Sequence, residues 1–434
     1  MVLLHSFDIS IENLTKMEGH ANLDVKVRNG KVEAVQFKIT ENQRFYEQSV
    51  RGQPITTAPQ LMSRICGTCS VAHLMCSIEA LEHALAIEPT EQTLLMKKLA
   101  MYGLMIRDHS LHLYFFSLPD LIGKDSILDF DENNAKEHKL IHDSFDLKRA
   151  GNNLSTLIAG KAVHAPYPTV GGFLHSPDEI GIQKSVAELK QIREQTLELV
   201  RIFGDWNEKF ERETDFVALV TDDFSYLDGE INTSKGLCIP ETNYVDHLIN
   251  VVIPYSQANG FEFEGEPYMV GALARLNLNK WSLHSQTKQD AKEYLKLFPS
   301  KNIFYNNLAQ AIEVLHSIDH SIELLENFKF KKEEIQKFEL KEDKVGIGVI
   351  EAPRGTLYYK LTVGKNQKIK KANVIVPTAQ NQINIEADIG KLVQDNLEKL
   401  SKEEIEFEME KLIRAYDPCM SCASHFLKVN WIEK

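Results

Sequence analysis

No stretch of this 434-residue chain reaches the roughly 20 uninterrupted apolar residues that a membrane span needs. Cysteine is scarce: six residues in 434 are too few for a disulfide framework. Positive charge is in deficit, with 49 Lys and Arg against 62 Asp and Glu and a net charge of −13. An acidic surface repels phosphate backbones, which excludes nucleic acid as a partner. There is no G-x-G-x-x-G fingerprint for a dinucleotide, no internal repeat and no low-complexity tract. The start, MVLLHSFDISIENLTKMEGH, lacks a basic opening, a long apolar centre and a small-residue cleavage site, so it does not read as a signal peptide. A cytoplasmic chain is expected, with export alongside a signal-bearing partner as the alternative. What is present is an ordinary globular balance, 43% apolar and 26% charged. The length allows one large domain or two to three ordinary ones, and with no convincing linker the expectation is one domain over 1–434.

The cysteines are informative by placement. Cys66 and Cys69 form one C-x-x-C pair and Cys419 and Cys422 another, at opposite ends of the chain, while Cys76 and Cys238 stand alone. Each pair sets two thiolates where both reach one ion, and together they make a four-sulfur set suited to a soft metal. Three readings compete: a structural zinc ribbon, whose pairs usually lie about 15–20 residues apart; redox disulfides; and a reactive metal site assembled from the two ends of a large fold. Spacing favours the third only modestly, and the flanking residues decide.

Periodicity gives a coarse frame. Residues 20–39 alternate around Asn29-Gly30 as a β-hairpin. The segment after Cys69 is apolar at helical spacing, so Cys69 lies at a helix start, where amides and helix dipole favour a thiolate. Long helices are predicted at about 92–117, 184–212, 304–328 and 389–414. Strands are predicted at 344–350, 356–363 and 369–376, and the Lys-rich 329–337 is a solvated loop or helix face. The expected class is mainly α with small flanking β-sheets.

The first pair sits in RICGTCSVAH and the second in DPCMSCASH. Together these resemble the R-x-C-G-x-C-x-x-x-H and D-P-C-x-x-C-x-x-H motifs of the large, nickel-bearing subunit of nickel–iron hydrogenases. TKMEGH (15–20, with Lys16 where Arg is usual), RFYEQSVRG (44–52), DHSLHLY (108–114), GKAVHAPYPTVGGF (160–173), GVIEAPRGTL (348–357) and VPTAQN (376–381) resemble further family segments in order. NNLAQAIEVL (306–315) and the shortness of the chain look most like the cytoplasmic multi-subunit branch, particularly its NADP-linked sulfhydrogenase alpha subunits. Relatives in respiratory complexes have lost the paired cysteines; this chain keeps all four.

The resemblance implies a helical-bundle core, reversible cleavage of H2, and a nickel–iron centre with cyanide and carbon monoxide on iron. Cys66 and Cys419 would be terminal on nickel, with Cys69 and Cys422 bridging. Glu18 would be a proton gate near Cys419, and His73, four residues after Cys69, would hydrogen-bond the bridging sulfur of Cys422. Arg354 would hang over the metals between Asp108 and Asp417, and Thr378 would donate to a cyanide, with Ala352, Pro353 and Pro377 beside the cofactor. Glu47, the carbonyl of Val374 and His425 would hold Mg2+ or a similar divalent ion. His112 and His164 read as packing and hydrogen-bonding residues, and Cys76 as a core thiol. Two single cysteines cannot hold a cubane, so electrons must leave through an iron–sulfur small subunit. Flavin and iron–sulfur electron-transfer subunits would lead on to NAD(P). A heterodisulfide-reductase- or deazaflavin-linked assembly, or a hydrogen-sensing subunit, is the alternative. The family also implies nickel-insertion factors and a maturation protease that removes 426–434 after His425.

Overall fold

The computed structural model describes residues 6–424. The N-terminal strands β1 (Phe7–Ile11), β2 (Ala21–Arg28) and β3 (Lys31–Ile39) form an antiparallel sheet. The expected hairpin is there, turning at Asn29-Gly30, and β1 adds a third strand. Five long helices follow: α1 (Ser70–Leu85), α2 (Glu91–Leu111), α3 (Ala135–Ala159), α4 (Glu179–Gly204) and α5 (Tyr305–Asn327). Helix α2 runs on as a π-helical turn at His112–Ser117. A second antiparallel sheet joins β4 (Lys344–Ala352), β5 (Gly355–Val363) and β6 (Ile369–Ile375). Helices α6 (Pro377–Asn396) and α7 (Lys402–Ala415) close the chain before the second cysteine pair. The mainly helical class with small sheets is as expected. The continuous helix expected over 389–414 is a correction: it is two helices, because Ser401 caps α7 with a capping box to Glu404 and restarts the backbone there. Lys-rich 329–337 takes no regular structure.

One contiguous apolar core runs from Ile9 to Ala423. Helix α2 packs along α3, α5 lies against both α2 and α4, and α1 lies across β4 and β5. The α1–β4 contact is backbone to backbone. A Cβ on Gly346 would sit 1.8 Å from the Ala80 carbonyl oxygen and one on Gly348 would sit 2.5 Å from that of Cys76. Among the described residues no helix is long and apolar enough to cross a membrane.

The far end of α1 carries a charge conflict. Glu79, His83 and Glu241 bring ligand atoms within 4.8 Å of one another. Burial pushes the Glu241 carboxyl up to about 8, aided by the negative charge of Asp228. Lys97, the nearby cation, is engaged by Glu82. A folded carboxyl raised in this way binds its proton more tightly than the unfolded chain does. The stability it lends is complete below about pH 4.5 and is lost as pH rises toward 8. Glu241→Gln should therefore match the parent near pH 5 and exceed it by about 2–4 kcal/mol near pH 8. Parallel melting temperatures for the two proteins from pH 5 to 8 would refute this.

Candidate metal centre

The four paired cysteines converge on one buried chamber. Cys69 is the N-cap of α1, and Cys66 lies just before it in extended backbone. From the other end of the chain, Cys419 is the N-cap of a short helix, Met420–Ala423, and Cys422 lies within it. The Sγ–Sγ distances are 2.9 Å for Cys69–Cys422, 3.1 Å for Cys419–Cys422 and 3.4 Å for Cys66–Cys419. These exceed the ~2.05 Å of a disulfide, and all four cysteines are free.

Hydrogen bonds from the other thiols, led by Cys419, hold Cys66 well below the ordinary thiol range. Burial pushes the other three up, Cys69 to about 11. With no cation in the chamber, desolvation at Cys69 outweighs the helix dipole that favours a thiolate there. Four thiolates in this chamber require a metal charge to compensate them.

A small cavity adjoins the sulfurs, lined by Cys69, Cys419, Cys422, His73 and Leu357 with Ala352, Pro353, Arg354, Pro377 and Thr378. Arg354 is one of the two residues, Pro353 and Arg354, that turn β4 into β5. Its Nη1 donates to Asp108 at 2.7 Å and its Nη2 to Asp417 at 2.9 Å, and all three side chains are almost fully buried. Arg354 Nε has no acceptor among the described residues. Pro377 opens α6, as a proline at a first helical position does. Thr378 Oγ1 accepts the Cys419 N–H at 2.8 Å, which leaves its own O–H to donate. A soft four-sulfur set beside an apolar pocket with one unused guanidinium N–H and one unused hydroxyl fits a metal pair carrying small acceptor ligands.

The remaining expected residues fall around this chamber. His73 Nε2 is 3.4 Å from Cys422 Sγ, and its Nδ1 is 2.8 Å from the Tyr359 hydroxyl. Glu18 Oε2 is 3.0 Å from Cys419 Sγ and accepts the Ser421 N–H at 3.0 Å, while its carbonyl accepts the Met420 N–H at 2.9 Å. Glu47 Oε1 accepts the Val374 N–H at 2.7 Å, so those two are together. His425 and the segment 426–434 lie outside the described residues. His112 lies 2.8 Å from the Arg414 carbonyl and bonds to Gln310, and His164 Nδ1 lies 3.1 Å from the Ser63 carbonyl. Cys76 is buried with its S–H toward the carbonyls of Gly348 and Leu357.

Sequence reasoning missed the supports. Tyr359 faces the core from β5, a position its alternating pattern could have flagged. Gln310 ties Asp417 to His112. Arg275 donates to the carbonyls of Ala352 and Pro353 at 3.0 Å each and pairs with Glu313 and Glu351, bracing the turn that carries Arg354. No local motif surrounds Arg275 to signal this.

Residues 44–144 and 225–425 match the family model described as nickel-dependent hydrogenase. The chain is 31% identical to sulfhydrogenase 2 subunit alpha of Pyrococcus furiosus, over 97% of this chain and 100% of that one. It is 28% identical to the NAD-reducing hydrogenase HoxS subunit beta of Cupriavidus necator, over 96% of this chain and 94% of that one. Among solved structures, an NAD+-reducing nickel–iron hydrogenase in its H2-reduced state shares the fold, with a TM-score of 0.86 at 24% identity, over 96% of this chain and 99% of that one.

Removing Arg354 should strand two buried carboxylates. Arg354→Met should cost about 3–5 kcal/mol in urea unfolding of the metal-free chain, and Arg354→Lys clearly less. Equal stability of Arg354→Met and the parent would show that this ion triad does not hold the fold.

Proposed function

The chain belongs to the nickel-dependent hydrogenase family as its large subunit, and from this premise we propose that Cys66, Cys69, Cys419 and Cys422 hold the nickel–iron pair at which it interconverts H2 with two protons and two electrons. When bound, the pair supplies the soft redox acceptor that polarises H2. The observation that carries the reading is the Glu18 carboxylate 3.0 Å from Cys419 Sγ, inside the same chamber as the four sulfurs.

The protein's own groups then have distinct tasks. Glu18 takes a proton from the Cys419 sulfur and passes it outward, its carboxylate aimed by the Ser421 N–H. Arg354, locked between Asp108 and Asp417, presents a fixed positive edge to the cavity. His73, oriented by Tyr359, donates to the Cys422 sulfur and tunes its electron density. Cyanide and carbon monoxide on iron would meet the Thr378 hydroxyl and Arg354 Nε against the wall of Ala352, Pro353 and Pro377. Glu47 and Val374, with His425, would hold Mg2+.

Six cysteines, four of them in the chamber, leave only Cys76 and Cys238, too few for an iron–sulfur cubane. The electrons therefore pass to an iron–sulfur small subunit, then through flavin-bearing subunits to NAD(P); the full-length likeness to a subunit of an NAD-reducing hydrogenase supports this acceptor. The reading includes one domain, supported by the continuous core, cytoplasmic placement, nickel-insertion factors, and a protease acting after His425.

Glu18→Gln should keep nickel and iron while lowering H2-dependent dye reduction about 100-fold or more, since the amide keeps the shape but carries no proton. A metal-replete Glu18→Gln protein with parental activity would sink the gate assignment. Arg354→Lys should retain metal and lose about 100-fold in turnover, because the ammonium lacks the planar donors. Parental turnover there would reduce Arg354 to an ion-pair residue.

A further inference from the structure

The loop that carries Glu18 lies between β1 and β2 and contains no strand or helix, only an isolated bridge from Glu18 to Cys419, with Lys16 and Gly19 both in left-handed backbone. It nevertheless holds a carboxylate 3.0 Å from Cys419, a residue from the other end of the chain. Something must fix the two segments against each other. The candidate is Asp120, in the short helix Leu118–Ile122, with its side chain 2% exposed. Lys16, two residues before Glu18, donates its ammonium to Asp120. Arg414, in the last turn of α7 and five residues before Cys419, sets Nη1 2.8 Å from both Asp120 oxygens. Arg414 Nε also reaches the Thr15 carbonyl at 3.3 Å, and its Nη2 pairs with Glu410. One buried carboxylate thus binds a cation from each of the two segments that must meet. The group of Lys16, Asp120, Arg414 and Glu410 is neutral as a whole.

We propose that Lys16, Asp120 and Arg414 are positioning residues, a clamp that sets the Glu18–Cys419 separation and so the proton step; this rests on the reading of Glu18 as the proton acceptor. Proton transfer needs heavy atoms within about 2.6–3.2 Å, a window that a loop anchored by one isolated bridge does not hold by itself. Loss of Asp120 would leave Lys16 without its carboxylate and facing Arg414, which keeps only Glu410 as a counter-charge, and the cheapest relief is for the loop to move outward. Its close seat would be lost with it: a Cβ on Gly19 would lie only 2.8 Å from Met420 Cβ.

The test reads the seat directly. The amides of Met420 and Ser421 are the donors to Glu18, so their hydrogen exchange, followed by mass spectrometry on a peptic peptide spanning 416–424, reports the juxtaposition with or without bound metal. In the isolated complex, Asp120→Asn and Lys16→Met should speed that exchange about tenfold or more. Turnover should fall about tenfold at unchanged nickel and iron content, and the solvent deuterium isotope effect on turnover should rise. Lys16→Arg, which keeps the charge, should restore all three. Asp8→Asn, which cuts an exposed pair with Arg28 elsewhere on the N-terminal sheet, should change none. Exchange within about twofold of the parent in both Lys16→Met and Asp120→Asn would overturn the clamp. Accelerated exchange with an unchanged isotope effect and turnover would overturn its link to the proton step. A fully active Glu18→Gln protein would instead remove the underlying reading while leaving the exchange result to judge the clamp alone.

Discussion

Everything in this fold answers to one constraint: two cysteine pairs from opposite ends of the chain must meet inside a dry core. The meeting is not left to a metal alone. Glu18 and Cys419 form a parallel β-bridge, and Arg44 N–H donates to the Ser424 carbonyl at 2.8 Å. The N-terminal sheet is held in turn against α6, where Glu386 accepts the Phe37 N–H at 2.8 Å. The long helices between the two ends provide the mass that buries the junction.

Buried charge is the second theme. Arg354 lies between Asp108 and Asp417, Arg275 between Glu313 and Glu351, and Arg414 against Asp120. Desolvating such groups costs several kcal/mol per ion, and well-packed apolar residues of the same volume would often be as stable. Stability alone does not account for three buried guanidinium groups around one chamber. What they share is direction: each fork fixes a backbone turn or a carboxylate in one orientation. Arg275 holds the carbonyls of Ala352 and Pro353, and Arg354 extends from the very next residue. The planar fork makes that hold directional where a lysine would give only a point charge.

How much of this was legible in the sequence follows from the range of each interaction. The hairpin at 20–39 and the three strands after 344 depend on alternation and turn residues, which are local, and they stand where the pattern puts them. The four cysteines, Glu18, His73 and the Asp108–Arg354–Asp417 triad were reachable because short motifs surround each. The break near 397–401 was missed because the apolar period continues across it, whereas the Ser401 cap is a single-residue signal. The upward push on the metal-free Cys69 thiol was not legible, because a helix dipole can be read from position, but burial by distant elements cannot. Arg275, Gln310, Tyr359 and Asp120 stayed hidden for the same reason: their partners lie on other elements, and nothing beside them in the chain announces it.

The precision of the chamber also depends on where side chains are missing. Helices usually pack about 8–10 Å apart on a cushion of side chains, and such a cushion can repack. Near the metal centre the cushion is removed twice. Gly346 and Gly348 let β4 touch the backbone of α1, which starts at the cysteine pair and carries His73. Gly103 and Gly151 do the same between α2 and α3: a Cβ on Gly151 would lie 2.7 Å from the Arg107 N, next to Asp108. Backbone against backbone has no rotamers to rearrange. The sulfurs of α1, the carboxylate of α2 and the guanidinium at the β4–β5 turn are therefore referenced to rigid contacts rather than to soft ones. That rigidity is what an array of groups held to within about 0.5 Å of one geometry requires.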